Sequence, residues 1–217
     1  ASAAHHAGEM SPRAADGRIT GKLVAPLFPA RGPVRILLMG EAPGPRGADQ
    51  SGIPFWGDRA GKLVYRALVS EGLAEVPEAA WEPWDGARFS ALGLAPKLRE
   101  VALTNALACC PTSDGRTFRA PSDRELREKE NLARIAGELA RARARCPSRL
   151  RVIAFGKRAH WLLSQGVDLE SIDLHGLPHP SAQGLLQAAP QKGKGLKLSD
   201  LQMEWQERLR KLLRGWH

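Results

Sequence analysis

The sequence predicts an α/β fold in which a parallel sheet is covered by helices on both faces. Apolar runs at residues 34–39, 101–107 and 151–156 predict strands, and each is followed by a loop and then by a stretch with helical spacing. Strands that alternate with helices favour parallel pairing. The 217 residues, of which 43% are hydrophobic, are enough for one domain with a full core.

The elements are assigned in order by periodicity, capping residues and breakers. Residues 1–11 are a tag remnant or a frayed end, and residues 12–33, rich in Gly and Pro, complete an irregular lead-in, so the single domain covers residues 34–217. Ser122, with Glu125 three residues later, predicts a capping box that opens a charged helix. The predicted elements are strand 34–39, helix 61–71, strand 101–107, helix 122–145, strand 151–156, helix 157–164, strand 172–174 and helix 201–213.

The composition limits the classes of partner. The chain has 32 Lys and Arg residues against 23 Asp and Glu residues, and the net charge of +9 favours a polyanionic partner. Its three cysteines form neither an even disulfide set nor a Cys-x-x-Cys pair, which favours a reducing cytoplasm. No apolar run approaches the roughly 18 residues that span a bilayer, and the N-terminus lacks the features of a signal peptide, so we expect no membrane partner.

A glycine-rich segment, residues 37–61, carries the residue types of a ligand site. It contains the carboxylates Glu41 and Asp58 and the aromatic rings of Phe55 and Trp56. Ligands of α/β folds bind outside the carboxyl ends of the strands, which is where this segment begins. The composition favours a flat ligand with polar edges. Trp56 either lines the pocket or packs in the core, and the sequence leaves both open.

Polar side chains also follow the other predicted strands. Asn105 lies at the end of the second strand, whereas His179, between two prolines, and Ser181 follow the fourth. The carboxyl ends of parallel strands converge on one edge of the sheet. We therefore expect Glu41, Asp58, Asn105 and His179 to share one pocket.

Four motifs occur at these strand ends in a fixed order. They are GEAPG at Gly40–Gly44, GIPFWGDRAG at Gly52–Gly61, TNALACCP at Thr104–Pro111 and LPHPS at Leu177–Ser181. In order and spacing they resemble the motifs of the uracil-DNA glycosylase superfamily, most closely its bacterial and archaeal iron-sulfur branches, families 4 and 5. The resemblance covers roughly residues 34–186.

The resemblance implies a fold and a reaction. The implied fold is a three-layer α/β/α sandwich with a central four-stranded, mainly parallel sheet. The implied reaction is hydrolysis of the N-glycosidic bond of uracil in DNA, which leaves an abasic site and requires the base to leave the stack. The implied partner is single- or double-stranded DNA that contains uracil, and we expect a monomer.

The chemistry of this bond explains the implied site residues. Its cleavage develops positive charge on the sugar and negative charge on the departing base, so it needs a carboxylate near the sugar and donors near the base. The resemblance assigns the carboxylate to Glu41 or Asp58, and the donor to a base carbonyl to His179. The other implied substrate-binding residues are Ala42, Pro43, Gly44, Phe55, Asn105 and Ser181.

Contacts with DNA are expected from two kinds of residue. Basic residues in loops suit the phosphate backbone. After the LPHPS motif the family places a segment that inserts into the duplex, here residues 182–186. The resulting DNA-binding candidates are Arg116, Arg119, Gln183, Leu185, Lys192 and Lys194.

The sequence departs from the resembled families at three places. Family 4 has its catalytic carboxylate at the position of Glu41 and family 5 at that of Asp58; this chain has both, and we place Glu41 first. The iron-sulfur cluster of those branches needs four cysteines, but only Cys109 lies at a ligand position, so we expect no metal ion and no cofactor. The loop 112–121 contains no histidine, so the covalent capture of DNA known for one relative of family 4 is not expected.

Other functions stay open at this point. The same fold would serve for hypoxanthine or mismatched thymine, because Asn105 and the shape of the pocket set the choice of base. A DNA-binding module without turnover is another reading, although Glu41, Asp58, Asn105 and His179 are all present. A nucleotide-binding loop at GEAPGPRG is disfavoured because the Gly-Lys-Ser/Thr ending is absent.

Overall fold

The computed structural model describes residue 19, residues 21–166 and residues 172–214. Most of the predicted lead-in, residues 1–18 and 20, lies outside the described residues. The strands are β1 (Val34–Gly40), β2 (Ala74–Glu75), β3 (Lys97–Leu98), β4 (Glu100–Asn105), β5 (Leu150–Phe155) and β6 (Ile172–Leu177).

The central sheet has four strands in the order β4-β1-β5-β6, and every neighbouring pair is parallel. The predicted parallel sheet is therefore confirmed, and its strands begin and end within a few residues of the apolar runs. A separate antiparallel pair, β2 with β3, was not predicted, because two residues per strand are too few to give a period.

Helices flank the sheet and close the domain. They are α1 (Ala48–Ser51), α2 (Arg59–Ser70), α3 (Gly86–Leu92), α4 (Asp123–Leu126), α5 (Lys129–Ala144), α6 (Lys157–Gly166), α7 (Ala182–Ala188) and α8 (Leu198–Arg214). No helix in the described ranges has both the length and the apolar content that crossing a bilayer requires.

The helix predicted over 122–145 is interrupted after its first turn. Its start is confirmed, since the Ser122 hydroxyl accepts from the Glu125 amide at 3.3 Å and the Glu125 carboxylate accepts from the Ser122 amide at 2.7 Å. The backbone of Glu128 is extended, with φ −55° and ψ 135°. The side chain of Asn131 donates to the carbonyl of Leu126 at 3.0 Å, a bond that replaces a helical one and so stabilises the break.

Alternation along β1 divides the core into two layers. Ile36 and Leu38 face a cluster that contains side chains of α2, α3, α7 and α8. Leu37 and Met39 face the opposite cluster, which contains side chains of α4, α5 and α6. The sheet is covered on both faces, so the three-layer α/β/α architecture is confirmed.

Trp56 packs in the first of these core layers. Its side chain is 0% exposed, and its ring lies 4.9 Å from that of Tyr65, 4.8 Å from that of Trp84 and 4.5 Å from that of Phe89. The indole Nε1–H donates to the carbonyl of Leu94 at 2.9 Å. This cluster fixes the segment that leads from the glycine-rich loop into α2.

Replacement of Trp56 should therefore destabilise the whole domain. We expect Trp56→Ala to lower the free energy of unfolding by about 3 to 5 kcal/mol, because a fully buried ring is replaced by a cavity. Urea denaturation followed by circular dichroism measures this change. Met203→Ala is the control, since Met203 is 62% exposed and should cost less than about 0.5 kcal/mol. Equal losses for the two variants would contradict the prediction.

Candidate active site

The ends of β1 and β4 are joined beyond the sheet. Gly40 and Asn105 are the last partners in register. The amide of Ala106 donates to the carbonyl of Gly40 at 2.8 Å, and the amide of Leu107 donates to the carbonyl of Glu41 at 2.9 Å. The residues that follow the two strands therefore run alongside each other, which brings Glu41 and Asn105 to the same part of the sheet edge.

The Glu41 side chain lies over the end of β5. Its Oε1 accepts from the backbone amide of Arg158 at 3.1 Å, in the first turn of α6, where the helix dipole favours negative charge. A Cβ on Gly156 would lie 2.3 Å from this oxygen, so only glycine fits between β5 and α6. Neither contribution was predicted from the sequence, although Gly156 ends the apolar run at 151–156.

His179, after β6, is the second polar group of the site. Its Nδ1 accepts from the amide of Ser181 at 3.2 Å. A backbone amide only donates, so the hydrogen of the neutral ring is on Nε2. Burial lowers the pKa of His179, and the nearby charge of Glu41 acts in the opposite direction. The neutral ring with a donor at Nε2 is the form that this environment favours.

Asn105 and Phe55 border one small space next to Gly40. A Cβ on Gly40 would lie 2.6 Å from Asn105 Oδ1 and 2.8 Å from the Phe55 ring. Asn105 is 3% exposed, and its Nδ2 finds no hydrogen-bond partner within the described part of the chain. A buried unpaired donor costs about 1 to 3 kcal/mol, so it points to a ligand group that would accept from it. Phe55 has a φ of 62°, an uncommon conformation that is typical of ligand sites.

The Asp58 carboxylate is hydrogen-bonded within the glycine-rich segment. Its Oδ2 accepts from the amide of Ala48 at 3.2 Å, and the amide of Gly44 also donates to the carboxylate. Burial raises the pKa of Asp58 to about 6, although these two amides lower it. The carboxylate therefore holds the glycine-rich loop in its folded form.

The other substrate-binding candidates lie beside these groups, and their roles stay predictions. Pro43 is buried, whereas Ala42 and Gly44 are half-buried. The Ser181 hydroxyl oxygen accepts from the amide of Gly184 at 3.1 Å and so caps α7. This helix occupies the segment for which a DNA-inserting loop was predicted.

The DNA-binding candidates differ in their surroundings. Leu185 is 4% exposed and lies in the core, because the capped helix α7 turns it inward. In this position the side chain is not exposed for the contact with DNA that the sequence predicts. The Arg119 guanidinium is bound to both oxygens of Glu125, at 2.7 and 2.6 Å. The side chains that remain exposed are those of Arg116, Gln183, Lys192 and Lys194.

A buried polar network behind Asn105 was not foreseen. The Arg134 guanidinium donates to the carbonyls of Asn105 at 2.9 Å and Ala106 at 3.0 Å. It also pairs with Glu138 at 2.6 Å, and Glu138 accepts from the hydroxyl of Thr104 at 2.6 Å. The sequence signal for this network is a row of polar residues at helical spacings of three and four, at 131, 134 and 138. The same pattern is typical of a solvent-exposed helix face, so it did not predict a buried network.

The cysteines do not fit an iron-sulfur cluster. Among the residues with described coordinates, no three side chains of His, Cys, Asp or Glu are grouped as metal ligands. Cys110 is buried, and this burial, with a smaller effect of the charges of Asp49 and Asp58, raises the pKa of its thiol to about 12. A cubane iron-sulfur cluster is held by four thiolates, whereas the sequence contains three cysteines.

One protein-family model matches most of this chain. The family model of the uracil DNA glycosylase superfamily matches residues 29–198. The Type-5 uracil-DNA glycosylase of Thermus thermophilus is 38% identical over 93 residues, 43% of this chain and 35% of that protein, so the match spans about a third of the relative's length. The crystal structure of SMUG2 from Pedobacter heparinus is similar with a TM-score of 0.49 and 12% identity, over 84% of this chain and 77% of that one.

The environment of Asp58 predicts how stability depends on pH. Its pKa of about 6 in the folded protein lies above the roughly 3.9 of an unfolded chain, so the folded state binds the proton more tightly. The free energy of unfolding should therefore fall as the pH rises from about 4 to about 6, and this contribution should be constant at higher pH.

Asp58→Asn removes that titration. The variant should therefore become more stable relative to the wild type as the pH rises through this window. Urea denaturation of both proteins between about pH 4 and 7 measures the difference in their unfolding free energies. A difference that is the same at every pH would contradict the raised pKa.

Proposed function

This chain belongs to the uracil DNA glycosylase superfamily, and we propose that it hydrolyses the N-glycosidic bond of uracil in DNA, releasing the base and leaving an abasic site. The proposal rests on one observation: the carboxylate of Glu41, the imidazole of His179 and the unpaired amide of Asn105 lie at the carboxyl edge of one sheet. The similarity to a Type-5 uracil-DNA glycosylase supports the choice of uracil.

On the sugar side, Glu41 supplies the negative charge. As the bond to the base breaks, its electron pair leaves with the base and C1′ becomes positive. The Glu41 carboxylate stabilises this charge and orients a water molecule, whose oxygen then bonds to C1′. One proton of this water passes to solvent, and the released base anion takes up a proton from solvent. The amide of Arg158 holds the carboxylate in one orientation, so the charge need not reorganise during the reaction.

On the base side, His179 and Asn105 supply hydrogen bonds. The Nε2–H of neutral His179 donates to a carbonyl oxygen of the base, on which negative charge develops. The Asn105 amide offers both an acceptor and a donor, which match an N–H and a carbonyl on the edge of uracil. The Phe55 ring provides a face for stacking, an interaction worth roughly 1 to 3 kcal/mol.

The proposed function is tested by release of bases from defined oligonucleotides. Single- and double-stranded oligonucleotides, each with one uracil, hypoxanthine or mismatched thymine, are incubated with the protein, and abasic sites are then cleaved by alkali. We expect cleavage at uracil. Cleavage only at another base would assign a different lesion to the same site, and binding without any cleavage would overturn the glycosylase proposal.

Two matched substitutions separate the roles of the carboxylates. Glu41→Gln keeps an acceptor for the Arg158 amide but removes the charge, so we expect it to lower kcat for uracil release by about 100-fold or more. Asp58→Asn changes a group that is bonded within its own loop, so we expect a loss of less than about tenfold. Single-turnover rates measure both effects, and far-UV circular dichroism confirms folding. A Glu41→Gln protein as active as wild type would refute the assigned role.

A further inference from the structure

The loop between Pro111 and Pro121 is held in one shape by its own hydrogen bonds. The hydroxyl of Thr112 accepts from the amide of Gly115 at 2.9 Å. The carboxylate of Asp114 accepts from the amides of Arg116 at 2.8 Å and Thr117 at 2.7 Å. The loop therefore needs little ordering when something binds to it.

This loop presents an aromatic ring to solvent. Phe118 is 45% exposed and pairs through its backbone with Thr112 across the loop. The other large hydrophobic side chains that are exposed in the described ranges are all aliphatic. Arg116, two residues before Phe118, is also exposed, so the ring is accompanied by a positive charge. An aromatic face next to a cation is the combination that binds single nucleic-acid strands.

Two connections place the loop at the rim of the proposed site. It follows β4 and the residues that run beside Gly40 and Glu41. Immediately after the loop, Asp123 pairs at 2.7 Å with the side chain of Arg158, whose amide binds the Glu41 carboxylate at 3.1 Å. This ion pair is exposed and contributes little energy, but it shows that the end of the loop lies beside the start of α6.

We propose that Phe118 stacks on a nucleobase of the bound DNA strand, beside the base that enters the site. This inference rests on the proposed function, since it requires DNA in that site. The net charge of +9 favours such a polyanion, and Leu185, the side chain expected to insert into DNA, is held in the core. The π-face of any base fits, so the contact adds affinity without sequence preference.

Binding to DNA that cannot be cleaved tests this contact. The probes are a labelled single strand and a labelled duplex, each with one tetrahydrofuran abasic-site analogue, and fluorescence anisotropy gives Kd at several salt concentrations. Phe118→Ala should weaken binding about tenfold, the size of one lost base–aromatic stack, and Phe118→Trp should restore it. Met203→Ala, which changes an exposed side chain on α8, is the control and should bind as wild type.

The salt dependence distinguishes stacking from a phosphate contact. Phe118→Ala should leave the slope of log Kd against log salt unchanged, whereas Arg116→Ala should reduce it by about one. Equal affinity of Phe118→Ala and wild type for both probes, or a changed slope, overturns the stacking proposal. Because no base is released in these measurements, a wild type that binds DNA without releasing uracil overturns the proposed function alone.

Discussion

The absence of a side chain at Gly40 is the constraint on which the proposed site depends. Gly40 is the last residue of β1, and a Cβ there would overlap both the Asn105 amide and the Phe55 ring. The same holds at the end of β5, where Gly156 leaves room for the Glu41 carboxylate. Glycine thus stands at the carboxyl ends of two neighbouring strands, as the last residue of β1 and as the residue directly after β5, and groups from other parts of the chain occupy the space beside them.

Charged residues of helix α5 hold the backbone of Asn105 in position. A buried ion pair such as Arg134 with Glu138 contributes little to stability, because the loss of hydration offsets the attraction. Its effect here is geometric, since it holds the carbonyl of Asn105 and the hydroxyl of Thr104 at fixed distances. The carbonyl of Asn105 is therefore bonded, whereas its side-chain Nδ2 has no partner among the described residues and is available to a ligand.

The same network connects helix α5 to the end of β4. Asn131 and Arg134 both donate to the carbonyl of Ala106. Polar contacts from one helix thus hold the end of the strand that carries Asn105.

The parts that the sequence predicts are those with a period or a fixed spacing. Apolar runs located the four strands of the sheet, and the rule that parallel strands end at one edge brought Glu41, Asn105 and His179 together. The features that the sequence did not predict depend on tertiary packing. Leu185 follows a histidine motif, as an inserting residue would, but Ser181 caps a helix there and turns it inward.

The two acidic residues show the same limit, because the sequence contains both carboxylates and places Glu41 first without showing what surrounds either one. Their surroundings separate them. Asp58 accepts hydrogen bonds from two backbone amides of the loop that leads to Phe55, and its burial there raises its pKa to about 6. Glu41 accepts one amide at the start of a helix and lies close enough to His179 to affect its pKa.

A carboxylate that carries catalytic charge must face the substrate together with the donor to the base. In the proposed site Glu41 meets this condition, because its charge acts on the His179 ring. Asp58 has its oxygens turned towards Ala48 and Gly44, and breaking those bonds would release the loop. The two acids therefore have different roles in the proposed site. Asp58 holds the loop in place through its hydrogen bonds, and Glu41 is the proposed catalytic carboxylate.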